Sequence, residues 1–179
     1  MNLPNKITIF RVLMIPVFLI FMLVPGIPFG NYIAAAIFII AALSDMLDGY
    51  IARKYKLVTN FGKFMDPLAD KLLVSCALIC FVEFRTIPTW VVIIIIARDF
   101  IINGFRLIAS DNGVVLAAGW WGKVKTNVQM VMSVMLIINL DYPIINILEQ
   151  VAIYLSVTLT VISLVDYLYK NRSILKETK

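Results

Sequence analysis

The sequence has no histidine, only two cysteines, and just 15% charged residues across its 179 positions. Without histidine, the side chain that ordinarily titrates near neutral pH is missing, so proton transfer there falls to a carboxylate, a tyrosine, a lysine or the substrate itself. Cys76 and Cys80 stand in one apolar run; two thiols make a poor zinc site, and both read as packing residues of a single helix. The scarcity of charge goes with 61% hydrophobic residues, more apolar surface than a soluble domain of this length can hide. A formal charge of +5 does not point to nucleic acid, because the basic residues lie in short blocks between apolar runs. No internal repeat or low-complexity segment is present.

What fills the chain instead is a series of apolar stretches, each near the roughly 20 residues that a spanning helix needs. Six qualify, at about 7–24, 32–52, 67–84, 88–108, 121–139 and 148–168, with turn chemistry in "PGIPFGN", "RTIP" and "NLDYP" between them. The opening "MNLPNKITIFRVLMIPVFLIFMLV" contains Arg11, and no small-residue cleavage pattern follows it, so it is expected to stay as the first spanning helix. With the N-terminus in the cytoplasm, one side of the membrane collects Lys6, Arg11, Arg53, Lys54, Lys56, Lys63, Lys71, Lys123, Lys125 and the basic tail. Near the other side the basic residues reduce to Arg85, and the positive-inside rule then places both termini in the cytoplasm. The expected fold is an all-α integral membrane protein, one domain over residues 1–179 with six transmembrane helices.

"SDMLDGYIARKY" is out of character with the apolar run before it. Asp45 and Asp48 end the second span, about 60° apart around a helix axis. The third begins "GKFMDPLADK", where Asp66 and Asp70 are about 40° apart. Asp66 is a candidate N-cap with Pro67 at the helix start; if the helix begins nearer Thr59, Pro67 lies inside it. In both cases consecutive helices joined by a short inner loop present four carboxylates to each other. Such a group repels itself strongly beside apolar surface. Hard oxygen ligands in this number suit Mg²⁺ or Mn²⁺, as one ion or a bridged pair, and a pair is a clamp for phosphoryl transfer. The plainer alternative is a set of solvated acids paired with Arg53, Lys63 and Lys71. Gly49, with Ala52 three residues on, makes a small surface that a ligand or a helix can approach closely.

Together these positions read Asp45-x2-Asp48-Gly49-x2-Ala52-Arg53-x8-Gly62-x3-Asp66-x3-Asp70. The pattern resembles the complete signature of the CDP-alcohol phosphatidyltransferases, with every fixed position filled. The resemblance implies a six-helix membrane enzyme in the CDP-alcohol phosphotransferase fold, a homodimer in the cell membrane with its site facing the cytoplasm. It further implies Asp45, Asp48 and Asp66 as metal ligands, helped by Asp70, with Asp70 as the base. Gly49, Ala52, Arg53 and Gly62 would line the CDP pocket. "NLPNKITIFRVLMIPVF", "VTNFGKFMDPLADKLL" and "GKVKT" are similar to the branch of the family that takes glycerol-3-phosphate as acceptor. On that resemblance the donor is CDP-diacylglycerol and the products are phosphatidylglycerophosphate and CMP.

An acceptor with its own phosphate needs cations. The fourth span contains "ARDFIINGFR", and charges at such depth face a cavity or a partner. Arg98 and Arg106 are candidate phosphate ligands, since a guanidinium binds two oxygens at once; a structural Arg–Asp network with Asp99 is the alternative. "GKVKT" opens the fifth helix, suited to a phosphate, making Lys123, Lys125 and Thr126 acceptor candidates, against a purely topological role. Asn5, Thr8 and Arg11 recur at three-residue spacing and are candidates for the nucleotide phosphates. Ser156, Thr160 and Ser163 read as helix packing or a dimer face. Serine or inositol phosphate is the alternative acceptor. Membrane prenyltransferases and a small cation transporter are the readings outside the family.

Overall fold

The computed structural model describes residues 3–54, 60–111 and 119–172; within these, the side chains of 3–4, 45–54, 60–64, 66–67, 70 and 110–111 lie outside the description. Six helices make up the described residues: α1 (Leu3–Leu23), α2 (Gly30–Lys54), α3 (Asn60–Glu83), α4 (Thr89–Asp111), α5 (Trp120–Ile138) and α6 (Pro143–Lys170). No strand occurs among them. The chain divides into two units, one of Met1–Thr86 with Ser133–Asn139 and one of Ile87–Met132 with Leu140–Lys179.

In the first unit α1 packs on both α2 and α3. Its buried side chains are Asn5, Thr8, Arg11, Ile15, Phe18 and Met22, at the three- and four-residue spacings that keep one helix face turned inward. The inward face is therefore polar in its first half and apolar in its second. The facing stripe of α2 is Ala34, Phe38 and Ala41, where the alanines let two helix backbones approach. Phe18 and Phe38 meet at 6.0 Å between ring centroids, while Arg11 reaches Ser44. Lower numbers on α1 thus face higher numbers on α2, and the two helices run antiparallel. α3 buries Ala69, Leu73, Ala77 and Cys80; both cysteines are free thiols, Cys76 half-buried. Its end is closed by Arg85 in the left-handed region, φ 58, with Thr86 N–H donating to Phe81 O and Arg85 N–H to Val82 O, the paired bonds of a Schellman cap.

In the second unit α4 packs on α6. Val91, Ile95, Arg98 and Ile102 are buried on α4, and Ile153, Ser156, Thr160, Ser163 and Tyr167 on α6. Arg98 meets Ser163 and Arg106 lies over Tyr167, so numbers rise together and these helices run parallel.

Large apolar side chains face outward in both units, among them Leu13, Ile20, Ile93, Phe100, Ile147 and Val165, an exposure that suits lipid and not water. Among the described residues, Asn5–Leu23 of α1 and Pro143–Lys170 of α6 are long and apolar enough to cross a membrane, and Gly30–Ser44 of α2 is a shorter apolar segment. The helices sit close to the expected spans, with one informative difference. Because α3 starts at Asn60, Asp66 lies inside the helix and is not its N-cap; of the two expected starts, the one near Thr59, with Pro67 inside the helix, is the one found.

Candidate active site

The acidic motif is distributed over two helices of the first unit. Asp45 and Asp48 lie on α2 and continue the register of its buried stripe, Ala34–Phe38–Ala41. Asp66 and Asp70 lie on α3, in register with Ala69, Leu73 and Ala77. Their carboxylates, with the side chains of Ala52 and Arg53 and the surroundings of Gly49 and Gly62, lie outside the described residues. Among the described residues no group of three acidic or sulfur side chains gathers. The backbone nevertheless puts each aspartate pair on one face of its helix, and α2 and α3 touch each other and α1. Four carboxylates drawn from two neighbouring helices fit a divalent ion in donor chemistry and number.

The polar half of α1 adjoins this motif. Asn5, Thr8 and Arg11 are all buried, Arg11 to 1% exposure. Arg11 Nε donates to Ser44 Oγ at 3.5 Å, and that hydroxyl donates to Ala41 O at 2.7 Å. Ser44 immediately precedes Asp45, so the guanidinium is held at the level where the acidic motif begins. A buried cation in an apolar helix is costly without such partners.

The second unit holds a cluster of opposite character. Lys125, 2% exposed, donates from Nζ to both oxygens of Asp99 at 2.8 and 2.9 Å. Arg98 donates from Nη1 to Asp99 Oδ1 at 2.9 Å and from Nε to Ser163 Oγ at 3.1 Å. One carboxylate thus anchors two cations, and the three groups together carry a net positive charge. Arg106 stands apart from this fork, its guanidinium 5.9 Å from the Tyr167 ring centroid, a cation–π distance.

The structure separates the candidates within "GKVKT". Lys125 points inward, whereas Lys123 and Thr126 are exposed; two residues span about 200° of helix, so the lysines cannot share a face. The Thr126 hydroxyl donates back to Gly122 O at 3.0 Å. Two residues in contact with this cluster, and one a turn away from it, were not singled out for the site from the sequence. Ser163 holds Arg98, although its stripe reads as packing; Gly122 lies against Arg98, since a Cβ there would stand 3.3 Å from Nη2; Gln129 is buried one turn beyond Lys125. The signal for the last was its four-residue spacing from Lys125.

A family model, CDP-alcohol phosphatidyltransferase, matches residues 1–162, and the chain belongs to that family. A relative in Bacillus subtilis, named CDP-diacylglycerol–glycerol-3-phosphate 3-phosphatidyltransferase, is 46% identical over 98% of this chain and 97% of its own. One of the same name in Haemophilus influenzae is 41% identical over 93% of this chain and 91% of its own. In Mycobacterium tuberculosis a probable phosphatidylglycerophosphate synthase is 38% identical, covering 93% of this chain and 79% of its own.

Proposed function

We propose that this protein transfers the phosphatidyl group of CDP-diacylglycerol to glycerol-3-phosphate, forming phosphatidylglycerophosphate and CMP in phosphatidylglycerol biosynthesis. The observation that carries the reading is near full-length similarity to relatives bearing that name, 46% identical over 98% of the chain in one case, together with a motif filled at every position.

The chemistry divides among the candidate residues. Asn5, Thr8 and Arg11 on α1 hold the nucleotide phosphates, with Gly49, Ala52, Arg53 and Gly62 lining the CDP pocket. Asp45, Asp48 and Asp66, aided by Asp70, would hold Mg²⁺ or Mn²⁺, as two ions. Such ions, when bound, offset charge on the pyrophosphate and its leaving CMP. The acceptor hydroxyl oxygen attacks the phosphorus that carries the diacylglycerol. Asp70 takes the hydroxyl proton, and the bond to the CMP phosphate oxygen breaks. Arg98, Arg106 and Lys125 meet the acceptor's own phosphate; Lys123 adds positive potential from the exposed face and Thr126 a hydroxyl at the same turn.

All six helices span the cell membrane in this reading, both termini and the site lie on the cytoplasmic side, and the enzyme is a homodimer. The apolar outer faces and the placement of basic residues support that topology. The deciding experiment supplies purified protein with CDP-diacylglycerol, Mg²⁺ or Mn²⁺, and glycerol-3-phosphate, serine or inositol phosphate in turn. Stoichiometric CMP and phosphatidylglycerophosphate, lost on chelation, is the expected result. Faster turnover with another alcohol overturns the acceptor assignment.

A further inference from the structure

We propose that Gly122 is a positioning residue for the acceptor phosphate, acting by leaving room for the Arg98 guanidinium against the first turn of α5. The inference rests on the reading that Arg98 meets that phosphate.

Three observations carry it. Arg98 is tied at two corners, Nε to Ser163 Oγ and Nη1 to Asp99 Oδ1, so its third nitrogen, Nη2, has its direction set by the other two. A Cβ on Gly122 would stand 3.3 Å from Nη2, and among the described residues no other atom would lie within 4 Å of it. The two remaining described glycines of this unit are not constrained in this way: a Cβ on Gly104 meets nothing, and one on Gly119 meets Asp166 Oδ2 at an ordinary 3.7 Å. Glycine is also a poor helix former, and Gly122 lies within α5 without a left-handed φ. The backbone therefore has no need of glycine here, whereas the guanidinium does. An added methyl group pushes Nη2 aside while the bonds to Ser163 and Asp99 resist the shift, so the fork presented to a phosphate is rotated or loosened.

The test is two-substrate kinetics of the full-length Gly122→Ala enzyme, with thermal unfolding measured alongside. The acceptor KM is expected to rise about three- to tenfold, with donor KM and kcat within about twofold and the unfolding temperature not lowered. In an Arg98→Lys background the same change is expected to add nothing, because no guanidinium remains to displace. Ser163→Ala, which removes the other tether, is expected to raise the acceptor KM in the same direction and keeps the idea open to refutation should Gly122→Ala not fold. An unchanged acceptor KM in Gly122→Ala, or an effect that persists in full in the Arg98→Lys background, overturns the inference. If Arg98→Lys alone also leaves the acceptor KM unchanged, the assignment of Arg98 to the phosphate fails as well.

Discussion

The two units solve opposite electrostatic problems with opposite means. In the second, Asp99 is matched by Arg98 and Lys125 from its own unit, so these charges have partners before any ligand arrives. The first carries four aspartates on α2 and α3 near the buried Arg11, and in the proposed reading their balance calls for metal. On that reading one cluster needs an ion, whereas the other is paired without one. In a low-dielectric setting an internally paired cluster is a folding element as much as a binding one, whereas a cluster of like charges is a binding element that folding must tolerate.

That contrast can be broken most sharply at Asp48. Asp48→Asn is expected to lower turnover by about 10³-fold or more, with no loss of unfolding temperature, because removing one like charge relieves the metal-free site. Measured CMP release near that of the unchanged enzyme would remove Asp48 from the metal site. Asp99→Asn is the counterpart: it deprives Arg98 and Lys125 of their shared carboxylate, and a stability loss of about 3 kcal/mol is expected, seen as a lowered unfolding temperature; an unchanged melt would mean that the pairing is not structural. Lys125→Ala should raise the acceptor KM about tenfold and lower stability less than Asp99→Asn, since Asp99 keeps Arg98. Smallest of all, Thr126→Val should change the melt by less than about 0.5 kcal/mol, its hydroxyl being exposed and bonded to its own helix at Gly122 O.

The two halves were unequally legible in the sequence. Aspartates inside apolar spans are so costly that Asp45, Asp48, Asp66 and Asp70 stand out without any coordinates, and the same holds for Arg98 and Asp99. Helix positions followed from apolar run length, although that left two starts open for α3, at Asp66–Pro67 or near Thr59, of which the structure has the second. What sequence could not supply was direction. Lys123 and Lys125 look equivalent as letters, and only a helix phase set by packing turns one inward and the other outward. Ser163 and Gly122 were illegible for a related reason: each lies against a partner, Arg98, far away in the chain, and neither a serine in a hydroxyl stripe nor a glycine at a helix start is unusual by itself.

The proposed assignment of Arg11 to the donor and Arg98 to the acceptor is tested most directly by comparing Arg11→Lys with Arg98→Lys in two-substrate kinetics. Each change keeps the positive charge and removes the planar fork. The expected result is a raised KM for CDP-diacylglycerol alone in Arg11→Lys and a raised KM for glycerol-3-phosphate alone in Arg98→Lys. A reversed pattern, or equal shifts of both constants in both variants, would contradict that division of labour.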